Sequence, residues 1–361
     1  MKKIRNTKLN IFSDLDKWIS LPVVILLLIG IFAVFSASTR IDEKYDLLFK
    51  KHLIFCTFSL FLIFFLSKLS LKNLIILSIF LFLITFVMLT TTIFFFSETK
   101  GASRWIKIFG FSFQPSEVLK PSFVIISSLL LSRYKAKGDL SFLINLIIFV
   151  LISILLLKQP DFGMFLLISF VWLIQILNTK LNLKFVLIII SSFLLVFILS
   201  YLSLDHVRFR INNFFFSNIG DNYQITKSLE SFANGGFFGQ GLGNGVISKN
   251  LPDAHSDFIY ALIGEEFGFL TVFFIILLYM TLYLRVFIIA HNTKNFFIFN
   301  SITGLTNIVI FQAIINISSS LNILPTKGMT LPLISYGGSS LISSSIIVGF
   351  ILVLIRMLKN E

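Results

Sequence analysis

The chain has 361 residues, 56% of them hydrophobic and 13% charged, with a mean hydropathy of +0.94. Soluble domains carry about 25% charged residues, so this composition excludes a water-soluble globular protein and calls for a polytopic membrane protein. The net charge of +13 comes from Lys and Arg scattered between apolar runs, a pattern of headgroup attraction and topology bias rather than nucleic-acid binding. The lone Cys56 excludes an internal disulfide or a Cys-based metal cluster and reads as a small packing residue.

Apolar windows predict about ten transmembrane helices, at residues 18–38, 52–68, 73–97, 116–133, 141–157, 162–179, 184–204, 257–285, 297–320 and 336–358. Residues 1–361 therefore read as a single all-α integral membrane domain. The first run ends in "FSAS", which loosely resembles a signal-peptidase site. At about 20 residues it exceeds the 7–15 of a signal h-region, so it is read as an uncleaved span. The fifth and sixth spans are separated only by "KQPD", where Pro160 and a charge force a turn.

Orientation follows from the cations. With the N-terminus inside, cytoplasmic segments carry about sixteen Lys and Arg against about nine in the short external loops. Both termini are thus expected in the cytoplasm and residues 205–256 form a large extracytoplasmic loop, long enough to be exempt from the charge rule. Within it, "YQITKSLESFANGG" predicts a short helix ended by Gly235 and Gly236. The "FFGQGLGNG" that follows has no βαβ unit around it and is no dinucleotide fingerprint.

Three polar clusters interrupt the apolar pattern. The first, "KGASRWIKIFGFSFQPSEVLKPS" at residues 100–122, sets Arg104 and Lys107 beside Trp105 in an external loop. It then opens span four at Gln114-Pro115-Ser116, with Ser116 or Gln114 near the cap. Glu117 and Lys120 are three apart and share a helix face: either a structural ion pair, or a lysine reaching an anionic ligand.

The second cluster, "LPDAHSDFIYALIGEEFG" at residues 251–268, carries Asp253, His255, Asp257, Glu265 and Glu266 where the chain enters the membrane. Asp257 is placed at the outer mouth of span eight, with Glu265 two turns deeper on roughly the same face. Gly264 and Gly268 form a small-xxx-small pair for a neighbouring helix. Asp257 either caps the helix or, grouped with other ionisable groups that are costly in lipid, marks a functional interior. His255-x-Asp257 offers two metal ligands and no obvious third.

The third, "ILPTKGMTLPLISYGGSSLISSS" at residues 323–345, holds two prolines and three glycines and cannot be a regular helix. Irregular backbone at membrane depth persists only when buried in protein or lining a wet cavity, so this segment is expected to fold back toward the acids, with Lys327 as its cation. Together the clusters describe a cavity with carboxylates and cations. Cations suit a phosphate or diphosphate leaving group and a carboxylate suits proton removal from a hydroxyl. Proton-coupled transporters combine the same residue types, so the chemistry alone leaves both classes open.

The motifs "GASRWIKI", "FQPSEVLKPS", "KQPDFG", "GGFFGQGLGN", "LPDAHSDFIYALIGEEFG" and "LPTKGMTLPLISYGGSSLISSS" occur in this order along nearly the whole chain. Together they resemble the SEDS family (shape, elongation, division and sporulation). The last is more similar to the division branch than to the elongation branch. The resemblance implies the ten-span SEDS fold and a peptidoglycan glycosyltransferase that polymerises lipid II, expelling undecaprenyl diphosphate. It places the family's essential acid on Asp257 and a functionally important tryptophan on Trp105. Arg104, Lys120, Lys327 and His255 are then candidates for contacts to sugar or diphosphate. Glu117 would orient Lys120, and Glu265 would order the acidic face. No cofactor is required by the motifs, and assistance by a divalent cation stays open. A lipid II flippase and a non-enzymatic division scaffold are the alternatives. The expected protein partner is a class B penicillin-binding transpeptidase, with no nucleic acid, and the expected location is the bacterial inner membrane at the division site.

Overall fold

The computed structural model describes residues 16–38, 43–95, 104–108, 111–137, 139–179, 183–215, 223–325 and 328–360. Among the described residues the chain is almost wholly helical. Its helices are α1 (Lys17–Ser38), α2 (Glu43–Ser67), α3 (Leu71–Phe95), α4 (Pro115–Lys137), α5 (Leu140–Lys158), α6 (Phe162–Leu177), α7 (Leu183–Ser203), α8 (Asp205–Phe215), α9 (Tyr223–Gly235), α10 (Ile259–His291), α11 (Phe296–Ser320) and α12 (Gly338–Asn360). Among the described residues the one sheet is an antiparallel hairpin, β1 (Ile106–Ile108) against β2 (Phe111–Phe113). Each of the ten expected spans coincides with a helix. The hairpin and α8 were not anticipated.

Eight of these helices are long and apolar enough to cross a membrane, so the chain is a multi-pass membrane protein. The two that fall short do so for different reasons. α6 has 16 residues, about 24 Å at the helical rise, less than a hydrocarbon core of about 30 Å. α4 is long enough but polar, because protein rather than lipid surrounds it. It packs against α3, α5, α6, α11 and α12, and its residues from Pro115 to Ile125 are all buried. α7 is the opposite case, with its leucines, isoleucines and phenylalanines turned outward.

Two polar anchors show the pairing that a medium poor in water favours. The Trp172 indole donates to Asn145 Oδ1 at 2.6 Å while its ring stacks on Phe149 at 3.9 Å. At one face of the bundle, Arg285 near the end of α10 donates to both carboxylate oxygens of Asp16 ahead of α1. The first residues of α10 and the hairpin lie at the opposite face.

The 33-residue α10 is broken at Gly268, whose φ of 79° and ψ of 178° are open to glycine alone. The break is repaired by the glycine-rich segment after α9. Gln240 and Gly241 N–H groups donate to the carbonyls of Glu265 and Glu266, while Phe269 N–H donates to Gly236 O. The expected small-xxx-small helix contact therefore takes another form: Gly264 receives the Phe232 ring of α9, and Gly268 abuts Gly239 backbone. A Gly268→Ala variant would need a forbidden dihedral and would press its methyl into Gly239 and Phe238. A stability loss of about 1–3 kcal/mol, or more from the clash, is expected in thermal unfolding of the purified protein.

Candidate active site

Asp257 does not cap a helix. α10 begins two residues later and its N-cap is Phe258, without a side-chain cap bond. Asp257 instead closes a tight turn in which Asp253, at φ 54°, offers its carbonyl to the N–H groups of Ser256, Asp257 and Phe258. Three remote groups pin that turn by its backbone. Asn316 Nδ2 donates to Asp257 O at 2.9 Å and to Met329 O at 2.6 Å. Ser335 Oγ donates to Ser256 O at 2.6 Å, and Tyr336 N–H donates to His255 O at 3.0 Å. The Tyr336 ring also meets His255 edge-on, with centroids 5.5 Å apart. As expected, the irregular segment folds back onto the acid: a Cβ on Gly328 would lie 2.9 Å from Asp257 Oδ2. The aspartate itself is half-buried, so solvent still reaches it.

Arg104 lies ahead of β1 and is half-buried. Its Nε donates to Gln159 O at 3.2 Å, a second nitrogen donates to Pro160 O, and Nη1 lies 3.7 Å from Asp161 Oδ1. Asp161 has a double duty, capping α6 by accepting from Met164 N–H and accepting from Gln114 Nε2 at 3.1 Å. Arg210 on α8 belongs to the same electrostatic neighbourhood. Burial and then the Arg104 charge push its pKa down, while Asp161 and Asp257 push it up. Its side chain is nevertheless exposed to solvent. The exposed side chain makes the charges around it, rather than burial, the informative part of its surroundings. Trp105, next to Arg104 in the chain, is 38% exposed.

The remaining candidates separate from this cluster. Lys120 is 1% exposed; its Nζ is 2.7 Å from Glu117 Oε2 and donates to Gln312 Oε1 at 2.8 Å. Gln312 donates onward to Thr330. Between the two readings of this pair the geometry favours the structural one, because the ammonium is already neutralised and buried. Glu265 does not share a face with Asp257, since Asp257 precedes the helix. Its carboxylate accepts from the N–H groups of Val246, Ile247 and Ser248 and from Asn234 Nδ2, so it orders the glycine-rich segment rather than an acidic face. Glu266 likewise binds Ser36 and Gly243 N–H. Lys327 lies outside the described residues.

The all-helical chain that carries these residues has known counterparts. Residues 17–360 match the family of cell cycle proteins that comprises FtsW, RodA and SpoVE. The chain belongs to this family. Among its relatives, the probable peptidoglycan glycosyltransferase FtsW of Caulobacter vibrioides is 31% identical, covering 94% of this chain and 89% of the relative. The FtsW proteins of Coxiella burnetii and of Buchnera aphidicola from Acyrthosiphon pisum are 33% and 35% identical. They cover 93% and 96% of this chain, and 95% and 90% of their own.

Solved structures agree on the fold. A chain from a peptidoglycan synthase complex, described as coordinating polymerization and crosslinking, superposes with a TM-score of 0.80 at 24% identity, covering 96% of this chain and 99% of that one. The rod shape determining protein RodA of Thermus thermophilus gives 0.70 at 23% identity, covering 96% and 98%.

In this member of the FtsW, RodA and SpoVE family, two residues of the cluster escaped the sequence reading. Asp161 was legible as the Asp of "KQPD", a helix N-cap signal, but not as the partner of Arg104. Arg210 carried no signal beyond a charge in a loop, and only the fold of α8 brings it near Asp257.

Proposed function

We propose that this chain is a peptidoglycan glycosyltransferase that polymerises lipid II on the outer face of the bacterial inner membrane. The observation that carries the proposal is Asp257: a solvent-accessible carboxylate whose turn is pinned from α11 and the 328–336 segment, in electrostatic contact with Arg210. In the reaction, the 4-hydroxyl of an acceptor N-acetylglucosamine attacks the anomeric carbon of the donor N-acetylmuramic acid. The new C–O bond forms as the bond to undecaprenyl diphosphate breaks; Asp257 accepts the hydroxyl proton and the electron pair leaves with the diphosphate. Pinning the base by its backbone holds it for that transfer, and general-base catalysis by a positioned side chain contributes about 10²–10⁴-fold in rate. Arg104 and Arg210 supply the positive field that a departing diphosphate needs, and the exposed Trp105 suits stacking on a sugar face.

In this reading residues 1–361 form one integral membrane domain with both termini in the cytoplasm, and residues 205–256 lie outside. The division site is the expected location, since the relatives are FtsW proteins. A class B penicillin-binding transpeptidase is the expected partner, because a polymerase needs a cross-linking activity for its strands.

The test is glycan synthesis by the purified protein from lipid II, with and without the transpeptidase, each with and without a chelator. Polymer on a gel is expected, and its loss on chelation would assign a divalent cation to the diphosphate. Transfer of labelled lipid II across liposomes with no polymer in any condition would replace the proposal with a flippase. Neither activity, with partner binding intact, would leave a scaffold.

A further inference from the structure

At the face opposite Asp257, the ends of α10 and α12 and the turn between α10 and α11 enclose a cleft of about 420 Å³. Its polar side carries Arg285, Lys294 and Lys359, with Asn292 and Thr293 between them. Among the described residues no carboxylate lines it. Asp16 touches only its edge, where it holds Arg285 in a fixed orientation by hydrogen bonds of 2.8–3.2 Å. Thr293 Oγ1 is buried there without a hydrogen-bond partner. The opposite wall is apolar, built from Ile289, Ile355 and Leu358.

We propose that this cleft binds the phosphate headgroup of an anionic membrane lipid from the leaflet on that side, with an acyl chain against the apolar wall. Two lysines remain for a ligand once Arg285 is paired with Asp16, and a hydroxyl waits to donate. Basic pockets between helices at this membrane level suit such headgroups. A free phosphate would satisfy the cations but would leave Ile289, Ile355 and Leu358 uncovered. The chain's own first residues are a poor occupant, since Lys2, Lys3, Arg5 and Lys8 make them basic. The site is remote from the proposed chemistry and does not depend on it.

The experiment is thermal unfolding of the full-length protein in detergent micelles titrated with phosphatidylglycerol. Phosphatidylcholine and inorganic phosphate, at matched concentrations, form the other arms. The wild type is expected to gain several degrees with phosphatidylglycerol only. In Lys294→Gln/Lys359→Gln the half-saturating lipid concentration should rise about tenfold or more, with an unchanged melting temperature in phosphatidylcholine as the folding control. Thr293→Val, which loses only the hydroxyl, should weaken the same response. An equal shift in wild type and double variant would overturn the assignment. So would an equal shift with phosphatidylcholine, which needs no charge, or with inorganic phosphate, which needs no membrane.

Discussion

Asp257→Asn is expected to lower glycan polymerisation by about 10²-fold or more while leaving the melting temperature within about a degree of wild type. The amide is nearly isosteric with the carboxylate but cannot take a proton from the attacking hydroxyl. Folding should tolerate the change because the groups that pin the turn bind backbone: Asn316 holds Asp257 O, Ser335 holds Ser256 O and Tyr336 N–H holds His255 O. Measured as strand length and rate from lipid II, with unfolding followed in parallel, the result separates chemistry from structure. Wild-type polymer from the asparagine variant would remove Asp257 from the reaction.

The second large effect is expected at the buried ion pair. Lys120→Met should destabilise the protein by about 3–5 kcal/mol, because Glu117 would be left as an uncompensated charge in the centre of the bundle. The lysine's ammonium is held by Glu117 and Gln312, and α4 packs against five helices. Adding Glu117→Gln to the same chain removes the stranded charge and should recover much of the loss. Denaturation of the single and double variants measures both steps. If Lys120→Met unfolds like wild type yet fails to polymerise, the lysine serves a ligand, and the structural reading of the pair is wrong.

Much of the architecture was readable from composition and pattern. The ten apolar windows each became a helix, and "YQITKSLESFANGG" became α9, ending at Gly235 as its paired glycines suggested. Among the described residues of 323–345, those from 328 to 337 are irregular and α12 begins at Gly338. These are local properties: apolar length, caps and breakers act within a few residues. The hairpin escaped because strands of three residues leave no alternation to detect.

The site was only partly readable, and the division falls along range of interaction. Asp257 stood out because an ionisable group at a membrane edge is costly wherever the fold puts it. The purpose of Glu265 was invisible because its partners are the amides of 246–248, and an amide has no sequence letter.

By itself, then, the sequence determined a helical membrane protein whose apolar spans are interrupted by three polar clusters, since transfer free energy depends on the residues of one segment. Only the tertiary structure decided which charges are spent on each other, as Lys120 is on Glu117, and which share one electrostatic neighbourhood, as Arg104, Asp161, Arg210 and Asp257 do. Coulomb energy depends on distance and surroundings, and segments scores of residues apart acquire both only when the helices pack.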